Sequence, residues 1–127
     1  MIITLCGSTR FKDEFLEVQK QLTLQGHIVL SVGLFAHADG IELSTEEKIR
    51  LDNLHKQKID MSDGIYVINV DNYIGESTYS EIDWARRHQK SIWFLVDPPA
   101  EKEESDSERQ NLDSTTTPIS DTDSQGE

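Results

Sequence analysis

The feature that most constrains this chain is a repeated alternation. Four short apolar runs, at residues 2–6, 27–32, 65–70 and 91–96, lack regular polar alternation and are separated by segments with helical signatures. Phe11, Phe15, Val18 and Leu22 recur at i, i+4, i+7 and i+11, which is one face of a helix. Gly26 then stops that helix as a C-cap would. Ser44 followed three residues later by Glu47 is a capping box. It opens a second helix expected to reach about Asp60, with Leu51, Leu54 and Met61 on its inner face. Ser62-Asp63-Gly64 breaks it, and Thr78 is expected to start a third helix that turns Ile82 and Ala85 inward. Strands without polar alternation are covered on both faces, which implies a parallel sheet with right-handed crossovers. The expected fold is therefore a small doubly wound α/β domain, Rossmann-like or flavodoxin-like, with about four parallel strands and flanking helices over residues 1–96.

Residues 97–127 do not continue the pattern. Their hydrophobic residues are Ala100, Leu112 and Ile119, and they carry −8 of the chain's net −12. Such a segment cannot bury enough apolar surface to order itself, so an acidic disordered tail is expected. Acidic residues outnumber Lys and Arg by 24 to 12, with no basic run, so duplex nucleic acid is not an expected partner. A single phosphate can still be held by backbone N–H groups and one Arg. The lone Cys6 excludes an intramolecular disulfide framework and suits a reducing compartment. No apolar run approaches the roughly 18–20 residues that span a bilayer, and Met1 leads into Ile2-Ile3 with no basic leader. A soluble, cytoplasmic protein without membrane attachment is expected.

In a doubly wound sheet, ligands lie beyond the carboxyl ends of the strands. Gly7-Ser8-Thr9-Arg10 follows the first run and enters a helix. The glycine permits close backbone approach, while free first-turn N–H groups, two hydroxyls and a guanidinium suit a phosphate or carboxylate. A plain Gly turn with a Ser/Thr N-cap has the same pattern. The stretch from Gly33 to Asp39 places His37 as a candidate ligand contact, and Asn69 and Asp71 leave the third run at the same edge. Gly75, Ser77 and Thr78 lead to Glu81. Thr78 and Glu81 have capping-box spacing, but a carboxylate in a first turn also has its anionic form favoured by the helix dipole, which suits a nucleophile. Asp63 lies at the wrong end of its strand for a ligand contact. His55 and His88 read as exposed helix positions. No His, Cys and acid group has the spacing of a metal site in sequence, so neither metal nor cofactor is expected.

These residues resemble the nucleoside 2-deoxyribosyltransferase-like superfamily, which includes 2'-deoxynucleoside 5'-monophosphate N-glycosidases. The resemblance covers about residues 2–96 and rests on Gly7-Ser8-Thr9-Arg10, on Asp63-Gly64-Ile65-Tyr66-Val67-Ile68, and on Glu81-Ile82-Asp83-Trp84-Ala85. It implies that Glu81 is a nucleophile toward the anomeric carbon and that Asp63 is an active-site acid. It also implies that Gly7, Ser8 and Arg10 hold a phosphate, and that Asp71 contacts the sugar or base. The family's Gly-Tyr pair before the Glu is replaced here by Tyr79-Ser80, and its phosphate-binding Ser falls on Gly75. Gly75-x-x-Thr78-x-x-Glu81 is also similar to part of the Gly-Thr-x-x-Glu motif of cytokinin-activating phosphoribohydrolases, without their Pro-Gly-Gly signature. What the resemblance implies is retaining cleavage of an N-glycosidic bond in a small nucleoside or nucleotide by a homo-oligomer. It places Glu81 about 5–5.5 Å from Asp63 or Asp71, as in retaining glycosidases. The competing expectation is a nucleotide-binding or sensing module that keeps the fold without the chemistry.

Overall fold

The structure, a computed structural model, describes residues 1–99. From residue 100 onward the expected acidic tail lies outside the described residues. The elements in chain order are β1 (Ile2–Gly7), α1 (Lys12–Leu24), β2 (Ile28–Leu30), α2 (Thr45–Asp60), β3 (Gly64–Ile68), α3 (Glu76–Arg87) and β4 (Ser91–Phe94). A short 3-10 turn, Val70–Asn72, follows β3. All strand pairs are parallel and the sheet order is β2-β1-β3-β4. The chain thus winds outward from β1 to β2, then crosses over to β3 and on to β4. The topological switch point lies between β1 and β3, where Cys6 sits beside Val67 and Gly7 beside Ile68.

The strands' period of two divides the core into two layers. Ile3, Leu5 and Ile68 face α1, which contributes Phe15, Val18 and Leu22. Burying each of those three helix side chains stabilises the fold by about 1.5–3 kcal/mol. Cys6, Ile65 and Val67 face the opposite way, against Ile59 of α2 and Ile82 and Ala85 of α3. α1 ends in a Schellman motif: the Gly26 N–H reaches the Thr23 carbonyl and the His27 N–H reaches that of Leu22. Gly26 itself takes φ +94°.

The second helix starts where its capping box predicts, with Ser44 and Glu47 satisfying each other's backbone N–H. Its inner face differs from the expected one. Leu54 and Met61 are 45% and 67% exposed, whereas His55 and Ile59 are buried. The buried pair is spaced i, i+4, and a count of apolar residues misses it because a histidine occupies a core position. The third helix also begins earlier than expected, with Gly75 as N-cap. Thr78 is therefore inside the first turn, and the Thr78–Glu81 capping box does not form.

Two details fix the ligand-facing edge. Gly7 has φ +153°, and a Cβ there would lie 2.8 Å from the Ile68 carbonyl oxygen, so only glycine fits this turn. Beyond β4, the Asn69 side chain grips Val96, accepting from its N–H at 2.9 Å and donating to its carbonyl at 2.8 Å. The carboxyl edge of the sheet thus closes on Val96. Among the described residues, no helix is long and apolar enough to cross a membrane.

Candidate active site

Three elements converge on one buried group. Cys6 is the penultimate residue of β1, His55 lies in the third turn of α2, and Glu81 in the second turn of α3. Cys6 Sγ is 3.6 Å from His55 Nε2, and that nitrogen is 4.0 Å from Glu81 Oε1. All three residues are buried, Glu81 retaining 8% exposure. Burial pushes the Glu81 carboxyl up to about 7, partly offset by a hydrogen bond from the Cys6 thiol. Burial likewise pushes the Cys6 thiol well above its ordinary value, so it stays a neutral S–H donor. Burial also lowers His55 to about 4, with the nearby Lys58 charge adding to the effect. The His55–Glu81 contact is therefore not an ion pair at neutral pH: the imidazole is uncharged, and the carboxyl exchanges its proton near pH 7. In a first turn the helix dipole would favour the ionised form of Glu81. Its actual position one turn deeper, against the sheet, makes it a desolvated acid instead.

Above this group, at the carboxyl edge, the loops of the switch point meet. Ser8 Oγ accepts from the Arg10 backbone N–H and from Arg10 Nε at 3.1 Å. This holds the guanidinium 4.6 Å above the ring of Tyr73, in the loop after β3. Tyr73 in turn lies against Gly75, where a Cβ would be 3.2 Å from its hydroxyl oxygen. Arg10 thus spans from the β1 loop toward the N-terminus of α3, which has no side-chain cap. The first-turn amides of Glu76, Ser77 and Thr78 open the same helix end; Ser77 is exposed and Thr78 is buried. Thr9 Oγ1 accepts from the His37 backbone N–H at 3.1 Å, bracing the β2–α2 loop, while His37 itself is exposed. Asp71 is exposed on the 3-10 turn with φ 55°, followed by Asn72 at φ 62°.

Two expected site residues are placed elsewhere. Asp63 sits at the amino edge of the sheet, where its carboxylate accepts from the Ile2 N–H at 2.7 Å. Its own N–H reaches the Ile2 carbonyl. Ile2 and Cys6 are four strand residues apart, about 13 Å at 3.3 Å each. A close carboxylate pair of Glu81 with Asp63 is therefore not formed, in keeping with the position of Asp63 before its strand. Asn69 is fully buried and commits its side chain to Val96 and to Asn72 Oδ1. It shapes the loop rather than facing a ligand. Conversely, Cys6, His55 and Tyr73 join the site without a sequence motif to announce them. The signal for His55 is its i+4 relation to Ile59, and for Cys6 its place in the strand opposite in phase to Ile3 and Leu5.

No family model and no curated protein matches this chain. Among solved structures, it is similar to the CMP N-glycosidase BcmB of Clostridium botulinum, with 19% sequence identity and a TM-score of 0.54. The likeness covers 79% of this chain and 75% of that one. At that identity the likeness concerns architecture: this chain has a Rossmann-like parallel α/β fold of the kind found in that N-glycosidase.

Proposed function

We propose that this protein cleaves the N-glycosidic bond of a nucleoside or nucleoside 5'-monophosphate, with Glu81 as the nucleophile. The observation that carries the reading is the desolvated Glu81 carboxyl, fixed beside Cys6 and His55 one residue below the Gly7 turn at the switch point. A carboxylate stripped of water, with an uncharged imidazole as its nearest basic neighbour and only a weak pull from Lys56, is poorly stabilised as an anion. Bonding to the electron-poor anomeric carbon removes that charge, so the environment that raises its pKa also favours attack. One Glu81 oxygen bonds to C1', and the C1'–N bond breaks with its electron pair leaving on the base. Asp71, on the exposed turn after β3, is the acid assigned to protonate that base. Water, or a second base, then attacks C1' and frees Glu81, giving hydrolysis or transfer.

Arg10, held over Tyr73, and the uncapped start of α3 suit a 5'-phosphate. The Ser8 and Thr9 hydroxyls accept internal bonds through oxygen, which leaves the hydroxyl hydrogens for a ligand. The fold shared with a CMP N-glycosidase supports the same class of substrate. The test is base release from a panel of ribo- and deoxyribonucleosides and their 5'-monophosphates, with wild type and Glu81→Gln in parallel. Release that requires Glu81 is expected. Binding of a nucleotide without release by wild type would instead make this a sensing module of the same fold.

A further inference from the structure

We propose that Cys6, His55 and Glu81 form a binding site for a thiophilic divalent cation of the zinc class. Their donor atoms, one sulfur, one imidazole nitrogen and one carboxylate oxygen, all lie within 4.8 Å of one another. Zinc binds such donors at about 2.0–2.3 Å in a tetrahedron, which holds the donors themselves about 3.3–3.6 Å apart. The Cys6–His55 separation of 3.6 Å already has that value, while the His55–Glu81 separation of 4.0 Å, within a group spanning at most 4.8 Å, requires the Glu81 carboxylate to draw in on the ion. Each donor comes from a different rigid element, β1, α2 or α3, so the triangle is built by the fold and not by a loop.

Charge makes the same selection. Binding displaces the Cys6 thiol proton, and any proton on Glu81, to solvent; the resulting thiolate, carboxylate and neutral imidazole sum to −2, so a divalent ion renders the buried group neutral. The desolvation cost that opposes a lone buried charge is then removed. A sulfur and a nitrogen among only three donors disfavour magnesium and calcium, which take six or more oxygens, and favour zinc, cobalt or copper. The remaining exposure of Glu81 leaves a side from which the ion enters and on which a water completes four-coordination. The site stands on these residues alone and does not depend on glycosidic chemistry. Because it takes the Glu81 carboxylate, an occupied site holds the proposed nucleophile out of reaction.

The test uses the full-length protein, stripped with a chelator and titrated with cobalt(II) alone, without nucleoside. Cys6 is the single cysteine of the sequence, so a thiolate-to-cobalt charge-transfer band can arise only from it. The expected result is a saturable band at one ion per chain, lost in Cys6→Ser and displaced by zinc but not by magnesium. At least tenfold weaker binding is expected in His55→Gln and in Glu81→Gln. Saturating zinc is also expected to raise the wild-type melting temperature by about 10 °C, which keeps the test open if a variant folds poorly. No band at saturating cobalt, or a band indifferent to His55→Gln and Glu81→Gln, overturns the site. Neither result depends on base release, so the metal site and the glycosidase reading fail separately.

Discussion

Replacing Glu81 by glutamine should stabilise this protein at alkaline pH and leave it unchanged at acid pH. The carboxyl titrates at an ordinary 4.5 in the unfolded chain and near 7 in the fold, because burial penalises its charge. Below pH 4.5 it is neutral in both states and costs nothing. Between 4.5 and 7 only the unfolded chain ionises, so stability falls as pH rises, by about 3 kcal/mol in all. His55 acts in the opposite direction. Its fold value near 4 lies below the ordinary 6.5, so stability rises with pH between those values by a similar amount. In the wild type the two slopes largely cancel over their shared window. The amide introduced by Glu81→Gln stays neutral and can still accept from the Cys6 thiol, so the variant keeps only the rising His55 slope. Thermal melts of chelator-treated protein should coincide near pH 4, while at pH 8 the variant should melt on the order of 10 °C higher. A glutamine in a capping box would leave the melt unmoved at every pH. A variant no more stable than wild type at pH 8 would refute the buried-acid account of Glu81.

Arg10→Ala should raise KM for a nucleoside monophosphate about 10- to 100-fold and scarcely affect the free nucleoside, since a charge-assisted Arg–phosphate contact contributes about 1.5–3 kcal/mol. Equal effects on both substrates would make Arg10 a structural partner of Tyr73. Asn69→Ala removes both bonds to Val96 and should lower stability by about 2–3 kcal/mol in urea melts without changing KM. A raised KM with an intact melt would restore Asn69 as a ligand contact. Gly7→Ala should cost about 3 kcal/mol or more in the same melts, because a Cβ at φ +153° meets the Ile68 carbonyl. In metal-free protein, kcat/KM should rise with pH through about 7 as Glu81 gives up its proton; a rate flat from pH 6 to 8 would contradict its role as an ionised nucleophile.

The architecture is legible in the sequence because its signals are local. Ser44 and Glu47 cap α2 where their spacing says, Phe15, Val18 and Leu22 line one face of α1, and strand runs without polar alternation form a parallel sheet. The candidate site is legible only in part. Glu81 and the Gly7–Arg10 turn sit at the switch point, but the partners of Glu81 are 26 and 75 positions away in sequence. His55 occupies a core position that a hydrophobic count assigns to Leu54, and no spacing rule links it to Cys6 or Glu81. The start of α3 is hidden for a related reason. Gly75 caps the helix without a side chain, so the visible Thr78–Glu81 capping pattern suggests a boundary that tertiary packing does not use. Asp63 keeps the place its position before β3 indicates, at the amino edge, where a backbone N–H takes up its carboxylate.

A covalent bond between Glu81 and the sugar can be trapped. A 2'-deoxy-2'-fluoroarabinosyl nucleoside, and its 5'-monophosphate, slow the breakdown of a glycosyl-enzyme, so the intermediate accumulates long enough for intact-mass measurement and peptide mapping. One fluorosugar per chain is expected, attached at Glu81, with stoichiometric release of base and no adduct in Glu81→Gln. Base release without any adduct, or an adduct on a residue other than Glu81, would contradict it.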